Sequence, residues 1–227
     1  MRIKKLLLAI ATLTLVSATP VKHQFTAAEQ QQISISTPGL FSRSNAFNID
    51  LDALKPNEYS FPLPVGKATL RKNNVVEITT KDGDAVKAMF EGTVRLSRKH
   101  PDTGYVIVIR HRNGLETVYA NNAENVVEVG QHVRAGQTIA IVGQRGGKFY
   151  CDFSIMIDGK RINPTAVVGL GSHRLHRHTL LCEKQYNYIN VSTIGEKVDF
   201  DDSKNFTTED VFTKQSTYKW NLEEMKK

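Results

Sequence analysis

The middle of the chain consists of short runs of β-branched and aromatic residues separated by glycine-containing turns. Between Gly104 and Gly143 four such runs follow one another, and Arg112-Asn113-Gly114 joins the first two. Alternation of apolar and polar positions over four to eight residues, bounded by Gly, Asn or Asp, is typical of strands in antiparallel hairpins. We therefore predict strands at Asn74–Thr80, Ala85–Phe90, Thr93–Ser97, Tyr105–His111, Glu116–Ala120, Gln131–Ala135, Thr138–Val142 and Phe149–Ile157.

The segment before this region lacks such a pattern. Residues 19–57 are polar, and Gln30-Gln31-Gln32 and Pro38-Gly39 interrupt any apolar periodicity. We predict an N-terminal arm or linker that is partly ordered at best, with a short helical turn at Ala27–Ile33.

The strand-rich region is predicted to form one domain over residues 58–168, which closes with a helical turn at Thr165–Val168. Residues 169–227 then hold clustered histidines, aromatic residues and a charged end. We interpret them as a C-terminal extension, in which Thr207–Asp210 has the residue types of a helix start.

The N-terminus has the three parts of a secretory signal peptide. The first five residues carry three basic side chains, Leu6–Val16 is apolar apart from two threonines, and Val16-Ser17-Ala18 offers a small-residue cleavage site. The apolar run is shorter than the roughly 20 residues that span a bilayer. We predict that residues 1–18 are removed, which leaves an exported protein of the periplasm or cell envelope without a membrane span.

Charge changes this interpretation little. The formal net charge is +7, and removal of Arg2, Lys4 and Lys5 with the signal peptide leaves +4. The basic residues are scattered and not interleaved with aromatic ones, so the sequence indicates no nucleic-acid partner. A weak attraction to an anionic cell wall is compatible with this charge.

Five segments of the chain carry a resemblance to a known family: Phe61-Pro62-Leu63-Pro64, Gly83 to Val94, His111 to Ala120, Val129 to Gly143 and Gly159-x-x-x-Asn163-Pro164. In these segments the chain resembles the lysostaphin/LytM-type zinc endopeptidases, a family of exported enzymes that cleave peptidoglycan peptides. The resemblance runs from about Tyr59 to Val168 and implies a mainly β fold, a compact antiparallel sheet or half-barrel of barrel-sandwich-like hairpins.

The same comparison shows that the functional residues of the family are replaced. Active relatives carry H-x-G-x-D, Y-x-H and H-x-H motifs, whose side chains hold zinc or assist the zinc-bound water. All five of these positions differ in this chain, so the resemblance implies a degenerate groove. The positions are Asn73, Glu77, Asn121, Tyr150 and Asp152.

These replacements change the chemistry of the site. Catalytic zinc has three ligands from His, Asp, Glu or Cys and an open position, and it lowers the pKa of the bound water. Asn73 is a neutral amide, and Glu77 and Asp152 add only oxygen atoms, which better suit a hard cation such as calcium. No histidine remains at these positions to move protons. We therefore predict no zinc and no hydrolysis, with weak cation binding by Glu77 and Asp152 as an alternative.

Other side chains with reactive or metal-binding chemistry have simpler interpretations. Cys151 and Cys182 could pair as a disulfide or stay free, and the sequence leaves both open. Cys151 is expected to face the core, because Tyr150 and Asp152 share the other side of their strand. His173-x-x-His176-x-His178 with Cys182 matches no standard zinc module, and we interpret it as a surface segment. His111 is expected to form structural hydrogen bonds.

Two functions are compatible with this reading. The first is a non-catalytic protein that binds peptidoglycan or regulates a cell-wall hydrolase such as an amidase, as the resemblance implies for degenerate members. The alternative is an active peptidoglycan metalloendopeptidase with non-standard ligands. A biotinyl-type carrier fits poorly, because in Lys87-Ala88-Met89 the lysine precedes the Ala-Met pair instead of following it.

Overall fold

The computed structural model of the protein describes residues 25–194. The predicted signal peptide and the predicted helix start at Thr207–Asp210 lie outside these residues. Within them the chain is mainly β, as predicted, and the thirteen strands pair in antiparallel fashion. The helix is α1 (Ala27–Gln31), and the strands are β1 (Ala46–Asp50), β2 (Lys67–Leu70), β3 (Val76–Thr80), β4 (Ala85–Lys87), β5 (Gly92–His100), β6 (Gly104–Arg110), β7 (Leu115–Asn125), β8 (His132–Val133), β9 (Thr138–Arg145), β10 (Lys148–Ile157), β11 (Lys160–Ile162), β12 (Thr179–Lys184) and β13 (Ile189–Ile194).

Ten of the described strands form one sheet. Its order is β2-β3-β10-β9-β7-β6-β5-β8, with β4 paired to β9 and β11 paired to β10. Strand β10 is central, because one edge pairs with β3 while the other pairs first with β9 and then with β7. All eight predicted strands are present with shifted ends, whereas β2 and β11 are too short for the alternation to reveal.

The main core lies on one side of this sheet. Along β10 the side chains of Cys151, Phe153 and Ile155 are fully or almost fully buried, and they belong to the same apolar cluster as Val76 and Ile78 of β3. The residues between them point to the other side, as a period of two requires. This alternation decides which side chains can contribute to a surface site.

The two flanks of the domain join in a second sheet, which the sequence did not predict. Strand β1 from the N-terminal arm pairs with β12, and β12 pairs with β13, both from the C-terminal extension. The expected irregular arm is therefore wrong for this segment. Phe47 and Ile49 are the only alternating apolar residues in β1. Formation of this strand therefore depends on its partner β12, which is more than 120 residues away in the chain.

The first part of the arm covers the other side of the large sheet. Ile33 packs against a cluster that includes Leu96, Val108 and Met156. Helix α1 matches the helical turn predicted at Ala27–Ile33, and a capping box between Thr26 and Glu29 closes its first turn.

A buried charge network fastens this arm to the sheet. The fully buried Arg95 donates to Glu116 through Nε (2.7 Å) and to the carbonyl oxygens of Glu29, Gln32 and Ile33, the latter two at 2.8 Å. Arg110 bridges the carboxylates of Glu116 and Glu29, each at 2.8 Å. Breaking a buried network of this kind is costly, because the remaining charge stays desolvated.

Asp158 makes a second connection between the flanks. Its carboxylate accepts from the backbone N–H of Thr37 in the arm (2.8 Å) and from the ammonium group of Lys184 at the end of β12 (2.7 Å). Among residues 25–194, helices long and apolar enough for a membrane crossing are absent.

Candidate functional site

The strand register brings three of the five predicted site residues to one surface. Asp152 on β10 lies opposite Glu77 on β3, and Tyr150 lies two residues before Asp152 on the same side of the strand. Opposite residues in an antiparallel pair share a face. We call this surface, the non-core side of β2, β3, β9, β10 and β11, the polar face.

The two carboxylates on the polar face have different surroundings. Glu77 accepts a hydrogen bond from a guanidinium nitrogen of Arg71 at 2.7 Å. The pKa of Asp152 is raised above its ordinary value, first because the carboxyl group is partly buried and then because Glu77 is nearby. The positive charges of Arg145, Arg161 and Arg71 act in the opposite direction.

Asn73 lies in the exposed 3₁₀ turn Lys72–Asn74, just ahead of β3. Its φ angle is 60°, in the left-handed region that Asn tolerates better than most residues. The turn places it four residues before Glu77, just ahead of the strand that carries this carboxylate.

Asn121, another of the predicted groove positions, is buried. It is 5% exposed, with a φ of 61°, at the point where β10 changes partner from β9 to β7. Its side-chain amide donates to the carbonyl oxygens of Tyr150 (2.8 Å) and Gly143 (3.3 Å). A Cβ at Gly143 would collide with the carbonyl oxygen of Asn121. Asn121 therefore closes the junction of three strands and has no free donor for a ligand.

Replacing Asn121 with alanine is expected to lower the free energy of unfolding by about 2 kcal/mol, because two buried carbonyl groups lose their donor and alanine tolerates a positive φ poorly. Urea denaturation of purified protein measures this change. The matched control is Asn190→Ala, whose amide binds Glu183 at the surface, with an expected change within about 0.5 kcal/mol. Equal stability of the two variants would contradict the structural role.

The side chains of the polar face do not suit a zinc ion. Glu77 is paired with Arg71, Asn121 is turned toward the backbone, and three arginines place positive charge around Asp152. Within the part of the chain that the structure describes, no three His, Cys, Asp or Glu side chains form a group that could hold a metal ion. The same positive charges disfavour the calcium-type site considered from the sequence.

Comparison with known proteins agrees with the family resemblance. Residues 71–164 match the family model described as Peptidase family M23. We call these residues the M23 domain after that family model. It contains all five of the replaced positions.

Relatives of the M23 domain have names of two kinds. Murein hydrolase activator EnvC of Escherichia coli (strain K12) is 38% identical over 96 residues, 40% of this chain and 22% of that protein. Stage II sporulation protein Q of Bacillus subtilis (strain 168) is 35% identical over 98 residues, 39% of this chain and 34% of that protein. DD-carboxypeptidase/endopeptidase Mpg of Neisseria meningitidis serogroup B (strain ATCC 13091 / M2091) is 29% identical over 101 residues, 44% of this chain and 23% of that protein. The chain thus spans 22% to 34% of the length of these relatives.

The histidines near the M23 domain have structural contacts. His111 is buried, with Nδ1 2.8 Å from the carbonyl oxygen of Glu91 and Nε2 2.8 Å from Oγ1 of Thr117, which confirms its predicted structural role. Burial lowers the pKa of His111 to about 4. His173 stacks on Phe61, and His178 lies 3.0 Å from the carbonyl oxygen of Ala166.

The two cysteines are free thiols, so the possible disulfide between Cys151 and Cys182 is not formed in this structure. Both side chains are fully buried in the core, and they lie on different sheets, on β10 in the M23 domain and on β12 outside it. Burial raises the pKa of each thiol, that of Cys182 to about 12, which disfavours the reactive thiolate form.

Sequence reasoning missed the arginines of the polar face. Arg145 ends β9 and Arg161 lies on β11, where it pairs with Met156 of β10. Arg145 is a single basic residue beside a turn and Arg161 follows Lys160 after another turn, and both are ordinary surface features. Only the register of the neighbouring strands brings them to the side of the M23 domain that carries Asp152.

Proposed function

We propose that this protein is an exported, non-catalytic M23 protein that binds peptidoglycan or regulates a separate cell-wall hydrolase. The observation that carries the proposal is the state of the polar face. Its scaffold is retained, yet Asp152 and Glu77 are surrounded by arginines and Asn121 is committed to the backbone.

A metal-dependent peptidase needs an electrophilic centre and a group that moves protons. The residues at the five replaced positions do not make such a centre, because an amide is a poor zinc ligand, Glu77 is paired with Arg71, and no histidine remains among them. The polar face nevertheless presents a tyrosine, two carboxylates and a short edge strand, β2. Such a surface can hold an extended peptide through backbone hydrogen bonds.

The sequence and the relatives support a role at the cell wall. The N-terminal pattern supports export, and one relative is named a murein hydrolase activator. In this role the protein contacts wall material or a hydrolase through the polar face, while a different protein cleaves the bond.

The test is a pair of assays on the full protein without its signal peptide. Co-sedimentation with purified sacculi measures wall binding, and release of dye from labelled sacculi by a purified wall amidase measures activation. We expect at least one to be positive and to weaken in Tyr150→Ala, but not in Tyr186→Ala, an exposed tyrosine outside the polar face. Absence of both activities in the unmodified protein would refute the proposal.

The second candidate is an active metalloendopeptidase. The 29% identity to a DD-carboxypeptidase/endopeptidase favours it. It requires bound metal and cleaved wall peptides, and both are measurable on the same preparation.

A further inference from the structure

The polar face has an excess of positive charge that the sequence does not show. The register places Lys67 opposite Thr79, which in turn pairs with Tyr150, and it places Lys148 opposite Arg145, so both lysines lie on this side of the sheet. With Arg71 and Arg161, five basic side chains surround the two acidic ones, Glu77 and Asp152.

Two of these arginines are available to a ligand. Arg71 is held by Glu77, whereas the guanidinium groups of Arg145 and Arg161 form no ion pair and no hydrogen bond with any residue between 25 and 194. Both are exposed and both act on the charge of Asp152 across the polar face. A guanidinium group without a partner has five donors in a planar arrangement that matches a carboxylate.

Arg161 also belongs to a cavity that adjoins the polar face. This open cavity has a volume of about 400 Å³ and lies where the M23 domain meets β13. Its lining combines hydrogen-bonding groups with apolar surface, contributed by Asn74, Arg161, Asn163, Thr165, Tyr188 and Val191. Tyr188 is 61% exposed, so its ring is accessible to a bound group. The second sheet, which lies outside the M23 domain, thus completes a site that begins on it.

We propose that the polar face and this cavity form one binding site for an extended acidic segment of a protein partner, with Arg145 and Arg161 as the residues that bind its carboxylates. The proposal rests on the proposed function, because it names the ligand chemistry of the same surface. The arginines supply positive charge to a face whose metal ligands have been replaced.

The mixture of charges defines the ligand class. Glu77 and Asp152 lie among the basic residues and repel a dense polyanion such as nucleic acid, whereas single carboxylates can reach the arginines one at a time. At the end of the same sheet, β2 is a four-residue edge strand, and it can pair with an extended backbone. A short acidic peptide satisfies both features.

Binding of two labelled probes to the full protein without its signal peptide is measured by fluorescence anisotropy at low salt concentration. One probe is a wall stem peptide, L-Ala-γ-D-Glu-L-Lys-D-Ala-D-Ala, and the other is an acidic L-peptide, Gly-Glu-Gly-Glu-Gly. We expect the second probe to bind more tightly than the first, and amidation of its carboxylates to weaken binding about tenfold or more. Preference for the first probe would identify a wall ligand instead and would overturn the proposal.

Two double variants test whether Arg145 and Arg161 bind the carboxylates of the ligand. The double variant Arg145→Gln/Arg161→Gln is expected to weaken binding about tenfold. The control Arg112→Gln/Arg134→Gln removes the same charge from turns that are not on the polar face and should bind as the unmodified protein does. Equal weakening in both, or no effect of amidation, would overturn the proposal.

These experiments distinguish failure of the carboxylate site from failure of the proposed function. If the double variant still binds sacculi or activates an amidase as strongly as the unmodified protein, the carboxylate site is wrong while the proposed function stands. If neither probe binds and neither wall assay responds, both fail.

Discussion

Replacing Arg95 with methionine is expected to lower the free energy of unfolding by about 3–5 kcal/mol. Arg95 is fully buried, and its guanidinium group joins Glu116 of β7 to three backbone carbonyl groups of the arm. Methionine fills a similar volume but leaves the Glu116 carboxylate with Arg110 as its remaining charged partner. The cost comes from a desolvated charge and from unsatisfied carbonyl groups, not from a cavity.

Urea denaturation measures the effect, and Arg98→Met is the matched control. Arg98 lies on the same strand and also donates to an arm carbonyl, that of Gln31 at 2.8 Å, but it is exposed. Its replacement should cost about 1 kcal/mol or less. The double variant Arg95→Met/Glu116→Leu should recover part of the loss, because it removes the stranded carboxylate. A loss for Arg95→Met as small as that for Arg98→Met would contradict the fastening role of the network.

The stability of the protein should fall as the pH is lowered from about 6.5 toward 4, with His111 contributing up to about 3 kcal/mol. Burial, offset in part by the hydrogen bond to Glu91, lowers the pKa of His111 from 6.5 to about 4. Between these values the unfolded chain binds the proton and the folded chain does not. Stability therefore rises with pH through this window and becomes independent of His111 above it.

Carboxylates titrate in the same range, so the contribution of His111 is isolated by a variant. In His111→Gln the amide keeps hydrogen-bonding capacity toward Thr117 or Glu91 but cannot titrate. The variant is expected to be less stable at pH 7 and to lose less stability between pH 6.5 and 4. Parallel curves for the two proteins would show that His111 is not held neutral by burial.

The strands of the M23 domain could be predicted from the sequence because each strand carries its own alternation of buried and polar residues. In β10 the alternation of Cys151, Phe153 and Ile155 with polar neighbours identifies both the strand and its buried side. The second sheet could not be predicted this way. Strand β1 is held by β12 across more than 120 residues, and its two alternating apolar residues are too weak a signal alone.

The candidate site also has one part that the sequence predicted and one part that depends on pairing between distant strands. The resemblance identified Glu77, Tyr150 and Asp152, and the strand register then placed them together on the polar face. It did not reveal that Asn121 closes a strand junction, because this depends on β10 exchanging β9 for β7 beside it. Nor did it reveal Arg145 and Arg161, which reach the same face from two different hairpins.

The flanks of the M23 domain therefore belong to its architecture. The arm covers one part of the non-core side of the sheet through Ile33 and the Arg95 network, while β13 borders the cavity that contains Arg161. The part of this side that stays accessible is the polar face. Variants that loosen the arm should change stability first, whereas variants of Arg145 and Arg161 should change binding first.

The central claim is that an M23 scaffold persists here without a catalytic metal centre. The most direct measurement is the zinc content of the purified protein after incubation with zinc and desalting, combined with analysis of muropeptides released from sacculi. We expect substoichiometric zinc and no new muropeptides, while a lysostaphin-type enzyme treated in parallel releases them. Stoichiometric zinc, together with muropeptide release that a chelator abolishes, would contradict the account.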